Sequence, residues 1–241
     1  LSLEEVIRLK HSMRMLLADR VKADLIAAVR QTQPTGEVAA AIDLLDAWDN
    51  SAAAESRGGL LFDVWWSRYS SQMNDRSPYR EPWSAERPVE TPSGIADGAV
   101  AAEAFAWAVT EARRRYGAWD LPWGDIHRVR RGDVDMPVGG CSGNLGCFRV
   151  LNFRNAPDGK RIANGGDGWI LAVEFTNPPR AYSVLAYGES PKEDSPYHDD
   201  QAALFATNQL KEVAFTEDQI RAQLVLNYRP GQEKLTNGRA R

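Results

Sequence analysis

Cysteine and histidine are scarce, with two Cys and three His in 241 residues. That scarcity leaves little for a multi-ligand zinc site, which wants Cys pairs two to four residues apart plus two further ligands. Cys141 and Cys147 stand further apart than that, and His127 and His198 are the only completions. No C-x-x-C pair is present, so thiolate activation of the redox type has no basis. Basic charge is not in excess either: Lys and Arg total 29 against 33 Asp and Glu, a formal net charge of −4. A general nucleic-acid binder needs the opposite balance. The run Arg128, Arg130, Arg131 is too short to reverse it, so no nucleic acid is expected as a partner. No apolar stretch approaches the roughly 20 residues of a bilayer span, and no basic-then-apolar leader opens the chain, so no membrane partner is expected. Neither a G-x-S-x-G elbow nor an H-E-x-x-H pair occurs.

Four of the 19 glycines fall close together in one short stretch. Met136-Pro-Val-Gly-Gly-Cys-Ser-Gly-Asn-Leu-Gly-Cys-Phe-Arg-Val150 holds both cysteines together with Gly139, Gly140, Gly143 and Gly146. A Walker loop would need Gly-Lys-Ser/Thr, and a dinucleotide loop would need to open a helix. No Lys follows here, and Phe148-Arg-Val-Leu151 reads as strand. A disulfide between Cys141 and Cys147 fits better, because a Gly-rich loop that folds back can reach the required separation. Two buried free thiols are the alternative. Closing so short a loop contributes roughly 2 kcal/mol, and it implies an oxidising compartment, periplasmic or secreted.

The first half reads as successive helices. Ser2 and Glu5 form a capping box, followed by Val6, Leu9, Met13, Leu16 and Leu17 as one apolar stripe. Asp24 to Arg30 continues this helix or begins a short second one. Glu37 to Trp48 puts Val38, Ile42, Leu45 and Trp48 on one face, closed by Asp49-Asn50. Leu60 to Tyr69 carries Leu61, Val64, Trp65 and Arg68. Asp97 caps a helix to about Tyr116 with Val100, Ala104, Trp107 and Ala108 inward. Asn74 to Gly98, rich in Pro, Ser and charge, reads as a long surface connection.

After Gly117 strands take over. Ile126 to Arg130 alternates apolar and polar, and Gly168 to Phe175 with Ala181 to Tyr187 makes a hairpin around Asn177-Pro-Pro-Arg180. A helix from about Asp199 to Leu210 and another capped by Thr216 with Gln219 finish the chain. The fold class is α+β: mainly helical over 1–116, strand and loop over 117–190, helices and a tail over 191–241.

Chemistry-bearing residues are few. His11 lies beside the first apolar stripe, His127 lies in a strand, and His198 sits next to Asp199 and Asp200. His198 with two acids invites a catalytic or metal role, yet a turn that caps the next helix accounts for it with less. The eight Trp are spread over helix faces and strands, which suits packing better than a carbohydrate platform. No complete active site, metal site or cofactor motif emerges.

A family pattern does emerge. Leu44-Leu-Asp-Ala-Trp-Asp-Asn50, Ser56-Arg-Gly58 and Leu60-Leu-Phe62 resemble the "LxxWD … S.GA.LF..FW" segment of the penicillin amidase family of N-terminal-nucleophile hydrolases. Pro122-Trp-Gly-Asp-Ile-His-Arg-Val-Arg-Arg-Gly132, Pro137-Val-Gly-Gly140 and Gly166-Asp167 follow in the family's order. Tyr187-Gly-Glu-Ser190, Ser195-Pro-Tyr-His-Asp-Asp-Gln201, Leu204-Phe205 and Phe215-Thr-Glu-Asp-Gln219 resemble its closing run. The resemblance is greatest to the branch holding N-acylhomoserine lactone acylases and aculeacin-type acylases.

That resemblance implies an αββα sandwich to which this chain would contribute the C-terminal part of a β chain, not an independent domain. It implies a nucleophilic Ser with its own α-amine as base, and an oxyanion Asn, none of them within these residues. Catalytic residues are therefore expected to be none here, with substrate contacts unassigned. The opening at Leu1 on a helix cap reads as a processed piece, a trimmed fragment being the alternative. Expected partners are the α chain, the N-terminal part of the β chain and a small acyl-amide substrate, with room for a higher oligomer. No cofactor is implied.

Overall fold

A computed structural model describes residues 1–74, 76–229 and 231. The chain divides into two compact units: residues 10–129 with 135–166, and residues 1–9 with 130–134 and 167–241.

In the larger unit four helices build the core: α2 (Leu16–Gln31), α3 (Gly36–Ala47), α4 (Gly59–Gln72) and α5 (Gly98–Tyr116). The helix α5 owes its position to small residues. Ala101, Ala104, Ala108 and Ala112 leave room for α4 and α2 to approach, with Phe105 and Val109 filling between them. Trp65 is buried against it and donates its indole N–H to Ala101 O at 3.0 Å. The Asp97 carboxylate caps the helix by accepting from Val100 N at 3.1 Å. Gly117 ends it in the left-handed conformation, φ 87°, where a side chain would be strained. Leu25, Ile42, Leu45, Leu60, Leu61 and Phe62 complete the core.

The long connection from 74 to 98 lies over this core but is not featureless. It contains β1 (Tyr79–Glu81) and β2 (Ser93–Ile95), paired antiparallel. The Tyr69 hydroxyl holds it, accepting from Ala96 N and Asp97 N and donating to Pro78 O at 2.9 Å. Asp75, within this connection, lies outside the described residues.

A short helix α6 (Trp123–Ile126) leads into a four-stranded mixed sheet in the order β4 (Val134–Pro137), β3 (His127–Arg131), β6 (Arg161–Gly166), β5 (Leu151–Asn155). The β5 to β6 pairing is antiparallel, whereas β3 runs parallel to β6. In the smaller unit, β7 (Trp169–Glu174) and β8 (Arg180–Leu185) form the expected antiparallel hairpin, and β9 (Lys211–Glu212) joins β8. Helices α1 (Leu3–Lys10), α7 (Ala202–Ala206) and α8 (Glu217–Gln223) complete the described elements. The fold is thus α+β, helices first and antiparallel hairpins later.

Several expectations are corrected. The first stripe is not one helix: α1 stops at Lys10 and α2 starts at Leu16, with extended backbone between. Val6, Leu9 and Leu16 are exposed, and only Leu17 of that stripe is buried. Trp107 points outward and lies under the Arg68 guanidinium at 4.9 Å, while Phe105 takes the inward place. The strand after the second cysteine begins at Leu151, and the helix expected over 199–210 covers only Ala202–Ala206. Of the tail assigned to 191–241, Pro230 and residues 232–241 lie outside the described residues.

Candidate functional site

The Gly-rich stretch is a closed loop. Cys141 N donates to Arg149 O at 3.3 Å and Leu151 N donates back to Cys141 O at 2.9 Å, so the loop's two ends pair with each other. A single 3-10 turn, Gly143–Leu145, fills the interior. Gly146 ends it at φ 86°, packed so closely that an added Cβ would lie 2.8 Å from Leu16 Cβ. Cys141 and Cys147 are joined, Cα to Cα 5.4 Å, and both are buried. The loop's amides at 140, 141, 145, 146, 149 and 151 donate to backbone carbonyls. They do not converge on a common point as a phosphate cradle requires.

What the loop grips is the extended stretch between α1 and α2. Arg149 N donates to Ser12 O at 3.0 Å and Cys147 Sγ lies 3.6 Å from Met13 O. On the other side, Ala52 N donates to Met13 O and Met15 N donates to Asn50 O, each at 2.8 Å. Residues 12–15 therefore act as a short strand caught between the loop and residues 50–52, which is why helix cannot continue through them.

His127 is buried and stacked on Trp123, ring centroids 3.6 Å apart, with Phe153 edge-on at 4.6 Å. Its Nδ1 donates to Trp123 O at 3.0 Å and its Nε2 faces Arg161 Nη1 at 3.5 Å. Since guanidinium can only donate, this network assigns the proton to Nδ1. Burial first, and the Arg161 charge second, push the imidazole far below its ordinary range, so it stays neutral. Arg161 is in turn paired with Asp63 and lies over the Tyr116 ring at 6.0 Å. Both ring nitrogens are committed and the ring is buried, so this is a packed polar core rather than a base awaiting substrate.

His198 is buried in the smaller unit, in the loop before α7. The neighbouring acids do not orient it. Asp199 Oδ2 accepts from Asp133 N at 3.2 Å, and the exposed Asp200 carboxyl is raised by partial burial and by Glu189. What the loop does is structural: Gln201 N donates to Tyr187 O, Gln201 Oε1 accepts from Leu185 N, and Arg131 lies over Tyr187 at 5.4 Å. Ser2 serves as the helix cap, its Oγ accepting from Glu5 N at 3.1 Å. Among the described residues no group of His, Cys, Asp and Glu is arranged to hold a metal ion.

Of the candidate residues that sequence raised, Cys141 and Cys147 are joined, while His127 and His198 are each buried in the surroundings described above. The network that the structure assembles, Trp123, His127, Phe153, Arg161 and Asp63, was not anticipated. Only the four-residue spacing of Trp123 and His127 hinted at it.

Comparison with known proteins gives this arrangement a context. The family model described as penicillin amidase matches residues 1–222. An acyl-homoserine lactone acylase PvdQ of Pseudomonas fluorescens is 34% identical over 221 residues, 87% of this chain and 28% of that protein. Aculeacin-A acylase of Actinoplanes utahensis is 28% identical over 225 residues, 87% of this chain and 27% of that protein. The chain therefore spans 28% or less of the length of these two curated relatives. A solved structure of a thermostable penicillin G acylase from Alcaligenes faecalis covers 95% of this chain and 50% of its own. At 14% identity and a TM-score of 0.46, that likeness decides nothing by itself. The family match takes in the helical core, all three sheets and the disulfide loop alike. The chain belongs to the penicillin amidase family.

Proposed function

We propose that this chain is the supporting part of an amide hydrolase that removes the fatty acyl group from N-acylhomoserine lactones. The observation that carries the reading is the 34% identity to an acyl-homoserine lactone acylase along 87% of this chain, which amounts to only 28% of that protein. The described residues assemble no exposed nucleophile with its base, in keeping with chemistry done by the remainder of the enzyme. There, an N-terminal Ser would attack the amide carbonyl. Its α-amine, titrating near neutrality, would take the proton without a separate His. Backbone and Asn donors would hold the oxyanion, the amine product would leave, and water would hydrolyse the acyl ester.

The partners on this reading are an α chain and the N-terminal part of a β chain from one precursor. Its compartment is periplasmic or extracellular, which the Cys141–Cys147 bridge supports. The aculeacin-A acylase relative favours a second substrate, a cyclic lipopeptide; penicillins are a third. Lactones and lipopeptides share a long acyl chain, for which each buried CH₂ contributes about 0.8 kcal/mol. The test is to purify the enzyme with its companion chains, sequence every N-terminus, and measure fatty acid release from acylhomoserine lactones of graded length beside a lipopeptide and penicillins. A companion chain opening on Ser and a preference for long-chain lactones are expected. A folded chain purified alone, with no companions and no acylase activity, points instead to a binding module and sinks the proposal.

A further inference from the structure

Strand β6 ends in Asn164-Gly165-Gly166, and the ladder around it breaks at Asn164. On the β5 side Asn152 pairs with Gly165 and the next residue, Phe153, pairs with Ala163, so a single step along β5 answers a double step along β6 and Asn164 is left without a partner. Such a bulge takes its extra residue out of the regular extended backbone. On the β3 side, among the described residues, the parallel pairing reaches only Arg161 and Ile162. Asn164 and Gly165 are both exposed, and the Asn164 carboxamide has no hydrogen-bond partner among the described residues.

An Asn-Gly pair carries latent chemistry wherever its backbone is free to bend. The glycine nitrogen follows directly on the asparagine, within reach of its carboxamide carbon, and glycine has no Cβ to obstruct the approach. At Gly165 the surroundings are open as well, since a Cβ built there would meet only Asn152, at 3.6 Å. Regular strand pairing would hold nitrogen and carboxamide apart; the bulge removes that restraint where the side chain is also free to turn. The neighbouring Asn152 and Asn155 differ on both counts, being paired in the ladder and followed by Phe153 and Ala156. The chain's other Asn-Gly pair, at 237–238, lies outside the described residues.

We propose that Asn164 is a self-modification site that ages the enzyme beside its disulfide loop. Gly165 N gives its proton to solvent and bonds to Asn164 Cγ; the Cγ–Nδ2 bond breaks, and the nitrogen takes a proton from solvent and leaves as ammonia. Water then opens the cyclic imide, at one carbonyl to aspartate and at the other to isoaspartate, in which the chain runs through the former side chain. Either product adds a negative charge, and isoaspartate also adds a methylene to the backbone. The strand has no slack to absorb it. Gly166 follows at φ 101°, and a Cβ there would overlap Val150 O. Val150 bridges to Cys141, and Leu151 N donates to Cys141 O, so a displaced β6 pushes on the closure of the loop. The inference stands on the fold alone and holds whichever acyl amide is the substrate.

The test holds the purified enzyme, with its companion chains, in mildly alkaline buffer and follows its peptides by mass and by isoaspartyl methyltransferase labelling. Asn164 is expected to convert roughly tenfold faster than Asn152 and Asn155, with isoaspartate among the products, and Gly165→Ala is expected to slow it by about the same factor. That variant suits the site, because the added Cβ has room. The converted wild type should lose urea midpoint and exchange the Leu151 amide faster than fresh protein, whereas Gly165→Ala held for the same time should not. Should Gly165→Ala fail to assemble, the comparison among the three asparagines of the wild type decides. Conversion of Asn164 no faster than that of Asn152 and Asn155, or an unchanged rate in Gly165→Ala, overturns the site. Full conversion with unchanged midpoint and exchange overturns its action on the loop.

Discussion

Removing the Cys141–Cys147 bridge is the perturbation whose size can be worked out most directly. The two residues are six apart in sequence, and closing a loop that short costs the unfolded chain entropy worth about 2 kcal/mol in the chain-entropy model. Replacement of both by Ala is the cleaner variant, because both sites are buried and serine hydroxyls would need partners there. For a chain of this length about 2 kcal/mol corresponds to roughly 4–8 °C in Tm. In urea it is about 1 M in midpoint at an m of about 2 kcal/mol per M. The loss should also be local. The loop holds Ser12 through Arg149 N and packs the bridge against Met13, so amide exchange at Arg149 and Ala52 should rise before exchange in α5 does. Wild-type protein held in reductant should move by the same amount as the double variant. Alkylation should mark both positions only after reduction. An unchanged midpoint, or labelling of both thiols in the folded, unreduced protein, would refute the assignment of the staple and its grip on residues 12–13.

The buried His127 makes stability depend on pH with a definite sign. Its pKa is depressed in the folded state by burial and by Arg161, so the unfolded chain takes up this proton first as pH falls. Stability is complete above about 6.5 and drops by roughly 1 kcal/mol over the next pH unit down. His127→Gln should flatten that slope in denaturant titrations, and a slope identical to wild type would count against the neutral core imidazole. Gly146→Ala forces a side chain into φ 86° and against Leu16, and should cost about 2–3 kcal/mol, whereas Gly143→Ala, with nothing within 4 Å, should be close to neutral. Equal midpoints for these two variants would show that the loop relaxes freely.

The parts of this fold that sequence disclosed are those decided within one turn of chain. The Ser2–Glu5 box, the Asp97 cap and the Thr216–Gln219 box all form as read, because capping is a contact between residues three apart. The β7–β8 hairpin was legible for a similar reason, its two alternating runs being joined by turn residues. The first helix was misread because its break is set from far away, by Asn50, Ala52 and Arg149. Strand β6, Arg161-Ile-Ala-Asn-Gly-Gly166, has little strand character of its own and owes its conformation to β3 and β5 on either side. The family motifs pointed to the enzyme class, since they are matters of order along the chain. The His127 network stayed hidden because Asp63 and Arg161 come from elements distant in sequence.

The connection between α4 and α5 has two regions of unequal tolerance. Near Pro78 and Ala96 it is pinned by one phenolic oxygen, Tyr69 Oη, which serves three backbone groups at once. Between these pins, residues 84–91 close on themselves: Ser84 N donates to Thr91 Oγ1, and Thr91 Oγ1 donates to Arg87 O. Trp83 and Val89 are left exposed around that ring. A loop whose mouth is tied from inside can lengthen or change sequence at its tip without transmitting strain to either helix. Insertions at that tip should leave the helical core intact so long as Tyr69 is kept.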